Sequence, residues 1–222
     1  MGSLDFSLYL ITDRHQARGG DLPAVVEEAL AGGVRCVQLR EKDLPPSELL
    51  ALARHLREMT ARHGALLLIN DRIDVALAVG ADGVHLGETA LPADIARQLL
   101  GPERLIGVSC HDRQGALAAA EKGADFITFG PVYHTPSKAA YGKPVGIGRL
   151  ADVARSLPIP VFALGGVKGE QIPELLAAGA AGIALISAVI AAEEPQEQTR
   201  LLISLLQSLR REANPIQLRN SG

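Results

Sequence analysis

The run Val37-Gln38-Leu39-Arg40-Glu41-Lys42 sets an amide, a guanidinium and an ammonium at every second position. Alternate side chains of an extended strand share a face, so Gln38, Arg40 and Lys42 converge. Two cations held together are costly unless an anion binds between them. Arg supplies a bidentate fork and Lys a point charge, a pairing suited to a diphosphate. The plainer alternative is that Arg40 and Lys42 pair with Glu41 and Asp43 on the surface.

A second candidate is Asn70-Asp71-Arg72, which follows an apolar run. Asp71 has two readings that the sequence leaves level. It can cap a helix starting near Arg72, or it can hold Mg2+, a hard cation that seeks carboxylate and phosphate oxygens. Gly165-Gly166 and Ile186-Ser187 also follow apolar runs, where backbone N–H groups can cradle a phosphate; a simple turn glycine is the alternative. The long segment from Pro131 to Gly146 reads as a lid. His85, inside an apolar run, reads as a hydrogen-bonded core histidine, and His55 and His63 as surface groups. His111 and His134 can touch a substrate, but neither has a carboxylate partner visible in sequence. Cys110 and His111 are adjacent and point apart, which disfavours a nucleophilic pair.

What must position these residues is an alternation of short apolar runs with Ala/Leu-rich helical stretches. Strands are predicted at Leu8-Ile11, Cys36-Leu39, Ala65-Ile69, Gly83-Leu86, Leu105-Val108, Phe126-Phe129, Val161-Leu164 and Gly182-Ile186. Most are continuously apolar, as expected of strands covered on both faces. Helices are predicted between them and after the last. Gly80-Ala81-Asp82, Gly123-Ala124-Asp125 and Gly179-Ala180-Ala181 each end a helix just before a strand, with glycine as the left-handed cap. Eight such units in 222 residues are about 28 residues each, which favours a closed parallel (β/α)8 TIM barrel over an open doubly wound sheet. The expected organisation is one domain over residues 1–213 with a loose tail at 214–222. In a barrel of this kind chemistry sits at the carboxyl ends of the strands, where all the candidates fall.

Composition excludes other classes. Hydrophobic residues make up 47% and aromatics 3%, so the expected core is Ala, Leu, Val and Ile rather than large rings. Net charge is −3 without long like-charged runs, which removes the footprint of a nucleic-acid binder. The two cysteines suggest no disulfide framework. No apolar run approaches the ~20 residues of a membrane span, and no signal peptide is expected, so a cytoplasmic location is anticipated.

With these residues in view, the sequence resembles the thiamine phosphate synthase family, which includes the related thiazole tautomerases. The resemblance runs from Tyr9-Leu10-Ile11-Thr12-Asp13 to Ile186-Ser187-Ala188-Val189-Ile190. It is carried by Val37 to Lys42, Ile69-Asn70-Asp71-Arg72, Asp82 to Gly87, Gly107-Val108-Ser109, Phe129-Gly130-Pro131-Val132, Thr135-Pro136-Ser137-Lys138 and Ala163 to Val167. The family joins hydroxymethylpyrimidine diphosphate to a thiazole phosphate, releasing diphosphate, and also carbon dioxide when the thiazole is carboxylated. The resemblance implies that Gln38, Arg40, Lys42, Asn70, Ser109 and Lys138 hold the pyrimidine diphosphate. Arg40, Lys42 and Lys138 would stabilise the leaving group. Thr135, Ser137, Gly166, Ile186 and Ser187 would line the thiazole phosphate site, Asp71 would bind Mg2+, and a homo-oligomer is plausible. One segment departs from the family. Gly87-Glu88-Thr89-Ala90 stands where relatives carry Gly-Gln-Glu-Asp, so Ala90 occupies the second metal-ligand position, and Glu88 or water is expected in its place. A tautomerase, or a non-catalytic binder of thiamine precursors, is the alternative.

Overall fold

The computed structural model describes residues 4–135 and 143–213. Eight parallel strands close in chain order: β1 (Leu8–Ile11), β2 (Cys36–Leu39), β3 (Leu66–Asn70), β4 (Gly83–Leu86), β5 (Leu105–Cys110), β6 (Phe126–Phe129), β7 (Val161–Leu164) and β8 (Gly182–Leu185). β8 pairs back onto β1 through Leu8↔Ile183 and Leu10↔Leu185, which completes the expected barrel. The helices are α1 (Leu22–Ala31), α2 (Pro46–Arg62), α3 (Ile73–Val79), α4 (Ala93–Leu100), α5 (Arg113–Glu121), α6 (Gly146–Ser156), α7 (Ile172–Ala177), α8 (Ser187–Ile190) and α9 (Pro195–Ala213). Among the described residues no helix is long and apolar enough to cross a membrane.

Local signals explain the element ends. The Asp21 carboxylate accepts from Ala24 N at 3.0 Å and starts α1, whose Leu22, Val25, Val26, Ala29 and Leu30 form one buried stripe. Burying each of the large aliphatic side chains in that stripe contributes about 1.5–3 kcal/mol. Asp112 starts α5 in the same way, accepting from Gly115 N at 2.7 Å. Gly80, Gly123 and Gly179 have φ of 62°, 89° and 93°, as the helix-end reading required. Two differences from the sequence reading matter for the site. β5 runs on to Cys110, carrying Ser109 inside the strand. The short α8 directly after β8 was not foreseen, because four residues carry no periodicity to read.

The core also departs from expectation. Between strands and helices it is aliphatic, with Leu8, Leu10, Val37, Leu39 and Ile69 facing outward. The barrel interior is not: Phe6, Tyr9, Phe126 and Phe162 fill it together with Ile11, Cys36, Leu68 and Ala184. Ring centroids lie 5.0 Å apart for Phe6–Phe162, 5.4 Å for Tyr9–Phe126 and 5.5 Å for Phe126–Phe162. A scarce aromatic supply is thus concentrated in the interior, where a few large rings fill the space between eight strands. Gly107 makes room for them, since a Cβ there would stand 2.5 Å from both Phe126 Cζ and His85 Nδ1.

The two aspartates of the Gly-Ala-Asp segments key the floor of the barrel. Asp82 Oδ2 accepts from Leu67 N at 2.8 Å and from Arg57 Nη1 at 2.6 Å. Asp125 Oδ2 accepts from Ile106 N at 2.7 Å and from Arg97 Nη2 at 2.6 Å. Each joins one strand's amide to a guanidinium from the preceding helix.

Candidate active site

Strand parity decides which side chains reach the mouth. Cys36 belongs to the interior cluster while Val37 and Leu39 face the helices. Gln38 therefore points inward; β2 ends at Leu39, and Arg40 and Lys42 follow at its exit, Lys42 in the turn that Leu44 N closes on Glu41 O at 3.4 Å. The surface-pairing alternative for these cations fails on one residue. Arg14, from the loop after β1, takes both acidic neighbours: Nη1 donates to Glu41 Oε2 at 3.3 Å, and Nη2 donates to Asp43 Oδ2 at 2.8 Å. The guanidinium beside it holds the Asp43 carboxyl well below the usual carboxylate range, with His15 adding to the effect. Arg40 has no side-chain partner among the described residues, and Lys42 is half exposed.

At the end of β3, Asp71 adopts φ 58°, an unusual value for a residue with a Cβ. Its amide donates to His85 O at 2.9 Å. Its Oδ1 accepts from Gly87 N at 2.7 Å and its Oδ2 from Asn70 Nδ2 at 2.8 Å. Lys42 Nζ approaches Oδ2 at 4.0 Å. The helix-cap reading is thereby overturned: α3 begins at Ile73, Arg72 occupies its N-cap without a side-chain bond, and the Asp71 carboxylate is aimed at the β4 exit.

Asp71 keeps lone pairs on both oxygens beyond these bonds. Among the described residues no three His, Cys, Asp or Glu side chains converge, so there is no closed protein cage for a metal. One carboxylate beside Lys42 still fits the chemistry of Mg2+, which commonly takes one or two carboxylates and completes its shell with phosphate oxygens and water. The expectation that Glu88 supplies the second carboxylate finds no support in the geometry. Its Oε1 faces His111 Nε2 at 3.5 Å, a partner for His111 that the sequence did not reveal. The other ring nitrogen of His111, Nδ1, bonds Gly130 O. Ala90 turns back through its amide to Gly87 O at 3.1 Å.

Below the rim a buried polar column crosses the interior. Gln38 Nε2 donates to Tyr9 Oη at 2.9 Å, and Tyr9 Oη meets His85 Nδ1 at 3.3 Å. His85 Nε2 reaches Ser109 Oγ at 3.0 Å and Thr128 Oγ1 at 3.4 Å. Tyr9 Oη thus accepts from Gln38 and shares a hydrogen bond with His85 Nδ1, while Nε2 faces Ser109. Burial pushes the Tyr9 hydroxyl well above its usual pKa, so it remains a donor. His85 is the bonded core histidine expected; Tyr9 and Thr128 had been missed, though β-strand parity with Gln38 and Ser109 would have found them. Cys110 is a bystander, its thiol pushed up to about 12 by burial and by the nearby Asp112 and Glu88 charges.

At the exits of β7 and β8, Thr135, Gly165, Gly166, Ile186 and Ser187 line one pocket. Gly166 has φ 66°, and a Cβ there would stand 2.6 Å from His134 O, so close approach as well as backbone conformation demands glycine. α8 opens at Ser187 with its first N–H groups outside the intrahelical ladder. The segment before Thr135 is pinned to β7, Val132 N donating to Leu164 O at 2.9 Å and Tyr133 N to Gly165 O at 3.0 Å. Ser137, Lys138 and the centre of the expected lid lie outside the described residues. His55 is exposed as expected, whereas His63 is half buried and meets Glu27 Oε1 at 2.8 Å, far from the mouth.

A family model described as thiamine monophosphate synthase matches residues 8–189. A Geobacter sulfurreducens protein, provisionally named thiamine-phosphate synthase, is 70% identical over 93% of this chain and 97% of its own length. The thiamine-phosphate synthase of Roseiflexus sp. strain RS-1 is 42% identical over 90% of this chain and 85% of its own. In three dimensions the chain superposes on thiamine phosphate pyrophosphorylase from Pyrococcus furiosus with a TM-score of 0.83 and 37% identity, covering 91% of this chain and 96% of that one. Sequence and fold agree over nearly the whole length: the chain belongs to the thiamine monophosphate synthase family of transferases.

Proposed function

We propose that the mouth joins hydroxymethylpyrimidine diphosphate to thiazole phosphate, with Arg40, Lys42 and Lys138 on the diphosphate and the Gly166/Ser187 pocket on the thiazole phosphate. The observation that carries this reading is the diversion of Glu41 and Asp43 to Arg14, which leaves two rim cations for an external anion. Gln38, Asn70 and Ser109 complete the pyrimidine side, and Thr135, Ser137 and Ile186 the thiazole side.

The chemistry required is heterolysis of the bond between the pyrimidine methylene and the diphosphate oxygen. The electron pair leaves with diphosphate, and the thiazole nitrogen then forms the new C–N bond. Arg40, Lys42 and Lys138 act on the charge that grows on the departing oxygens, where preorganised donors are most effective. Holding both substrates in one mouth supplies the remaining advantage. No strong base is needed, in keeping with His85 being committed to its column. Asp71 would hold Mg2+ beside Asn70 and Lys42; when bound, the ion neutralises diphosphate charge.

The test supplies both phosphorylated precursors with Mg2+ and measures thiamine phosphate together with released diphosphate. Stoichiometric appearance of both is expected, and absence of product from folded protein overturns the reading. Asp71→Asn should raise the Mg2+ concentration needed for half-maximal turnover; an unchanged titration would remove Asp71 from the metal.

A further inference from the structure

We infer that Thr12 and Glu41 are positioning residues for the diphosphate site, acting through the Arg40 backbone; this inference rests on the assignment of Arg40 and Lys42 to the diphosphate. Thr12 and Glu41 are both buried, and no role in the proposed chemistry uses them. Thr12 Oγ1 donates to Glu41 Oε1 at 2.6 Å and accepts from Arg40 N at 2.9 Å. The Glu41 carboxylate also takes Arg14 N at 3.2 Å and 3.1 Å, one contact on each oxygen. Thr12 N in turn donates to Gln38 O at 2.9 Å, continuing the β1–β2 ladder beyond the last strand residues.

This arrangement does two things that a surface ion pair would not. A buried carboxylate orients the Thr12 hydroxyl so that its lone pair faces Arg40 N, which fixes the backbone where the strand ends and its ladder stops. It also ties the side chain at 41 to Thr12 and to the Arg14 amide, which anchors the short segment that carries Arg40 on one side and Lys42 on the other. Arg40 carries a long side chain with no partner of its own among the described residues. Its reach into the mouth therefore depends on the main chain that bears it.

The decisive variant is Thr12→Val, which keeps the branched shape and removes both hydrogen bonds, compared with Thr12→Ser, which restores the hydroxyl. Inorganic diphosphate binding by calorimetry and KM for each substrate are the readouts. Thr12→Val should weaken diphosphate binding and raise KM for the pyrimidine diphosphate by about tenfold, the effect of one misplaced charged donor. KM for the thiazole phosphate should stay within about twofold, because the Thr12 amide and hydroxyl are spent on β2 and Glu41 rather than on the β8 exit. Thr12→Ser should bring diphosphate binding back. Wild-type diphosphate affinity in Thr12→Val overturns the inference, as does equal weakening toward both substrates, which would mark a merely structural residue. Should Thr12→Val not fold, Glu41→Gln carries the same comparison, since it keeps an acceptor and loses the charge that orients Thr12. Arg40→Ala separates the two levels. If it leaves diphosphate binding intact, the cation assignment itself fails; if it weakens binding while Thr12→Val does not, only the positioning role fails.

Discussion

At the floor of the barrel, Asp82 and Asp125 each place a single oxygen between a strand amide and a guanidinium at 2.6–2.8 Å. At the mouth, Lys42 meets Asp71 only at 4.0 Å, and Arg40 has no side-chain partner among the described residues. The same residue types are thus used in opposite ways at the two ends. Floor charges are saturated by the protein and hold strands in register. Rim cations are left with unspent hydrogen-bonding capacity, which is what binding an anion requires. Net charge says nothing of this, because it averages the two ends.

The largest effect should follow from removing a rim cation. Lys42→Ala should lower turnover by about a hundredfold or more, the usual loss for one charge-stabilising donor, while the melting temperature stays near wild type because the side chain is half exposed. Steady-state kinetics beside thermal denaturation checks it, and a large melting shift with normal turnover would erase the distinction between the ends.

The reverse pattern is expected at the floor. Asp125→Ala leaves Ile106 N without its acceptor and the Arg97 guanidinium without its carboxylate. The loss should be about 2 kcal/mol, from an unsatisfied buried amide together with a partly solvated ion pair. For a chain of this size that is a melting decrease of about 4–8 °C. Turnover of the folded variant should be unchanged; a kinetic defect at temperatures where it is folded would show that the floor reports to the site.

Cys110 sharpens the comparison from the outward face of β5. It ends β5 beside His111, but burial first, and the Asp112 and Glu88 charges next, push its thiol up to about 12. The folded value lies above the unfolded one of about 8.5, so the stabilising contribution is complete below pH 8.5 and is lost as pH rises toward 12. Alkylation of folded protein by iodoacetamide at pH 8 should be slower than in urea by more than about tenfold, since only the thiolate attacks. Equal rates would mean that the thiol is open to solvent and free to ionise.

Much of this was legible from the chain. The strand alternation and the glycine caps lead to the barrel, and the parity of the β2 run leads to Gln38 inside it. What was illegible has a common physical cause: side-chain partners far apart in sequence. Nothing local says that Arg14 claims Glu41 and Asp43, or that Asp71 bonds the Gly87 amide rather than capping α3. The composition likewise hides that four rings gather inside one barrel. Glu41 was readable in part, because it continues the outward face of Val37 and Leu39, where a carboxylate must find partners. Glu88 shows the same limit: its approach to His111 across the mouth, at 3.5 Å, has no local signal in the sequence.

The smallest expected effect lies at Thr199, whose hydroxyl is the one buried side-chain polar atom without a hydrogen-bond partner among the described residues. Thr199 on α9 is buried against Gly32 at the end of α1; a Cβ on that glycine would stand 2.8 Å from Thr199 Cβ. Valine has nearly the same shape and no hydroxyl to desolvate, so Thr199→Val should stabilise the protein by about 1 kcal/mol, a melting increase of about 2–4 °C. Thr199→Ser keeps the hydroxyl and deletes the methyl group, leaving a small void, and should lower the melting temperature instead. Neither should alter turnover. Destabilisation by Thr199→Val would mean that the hydroxyl is paired in solution, as the floor carboxylates are.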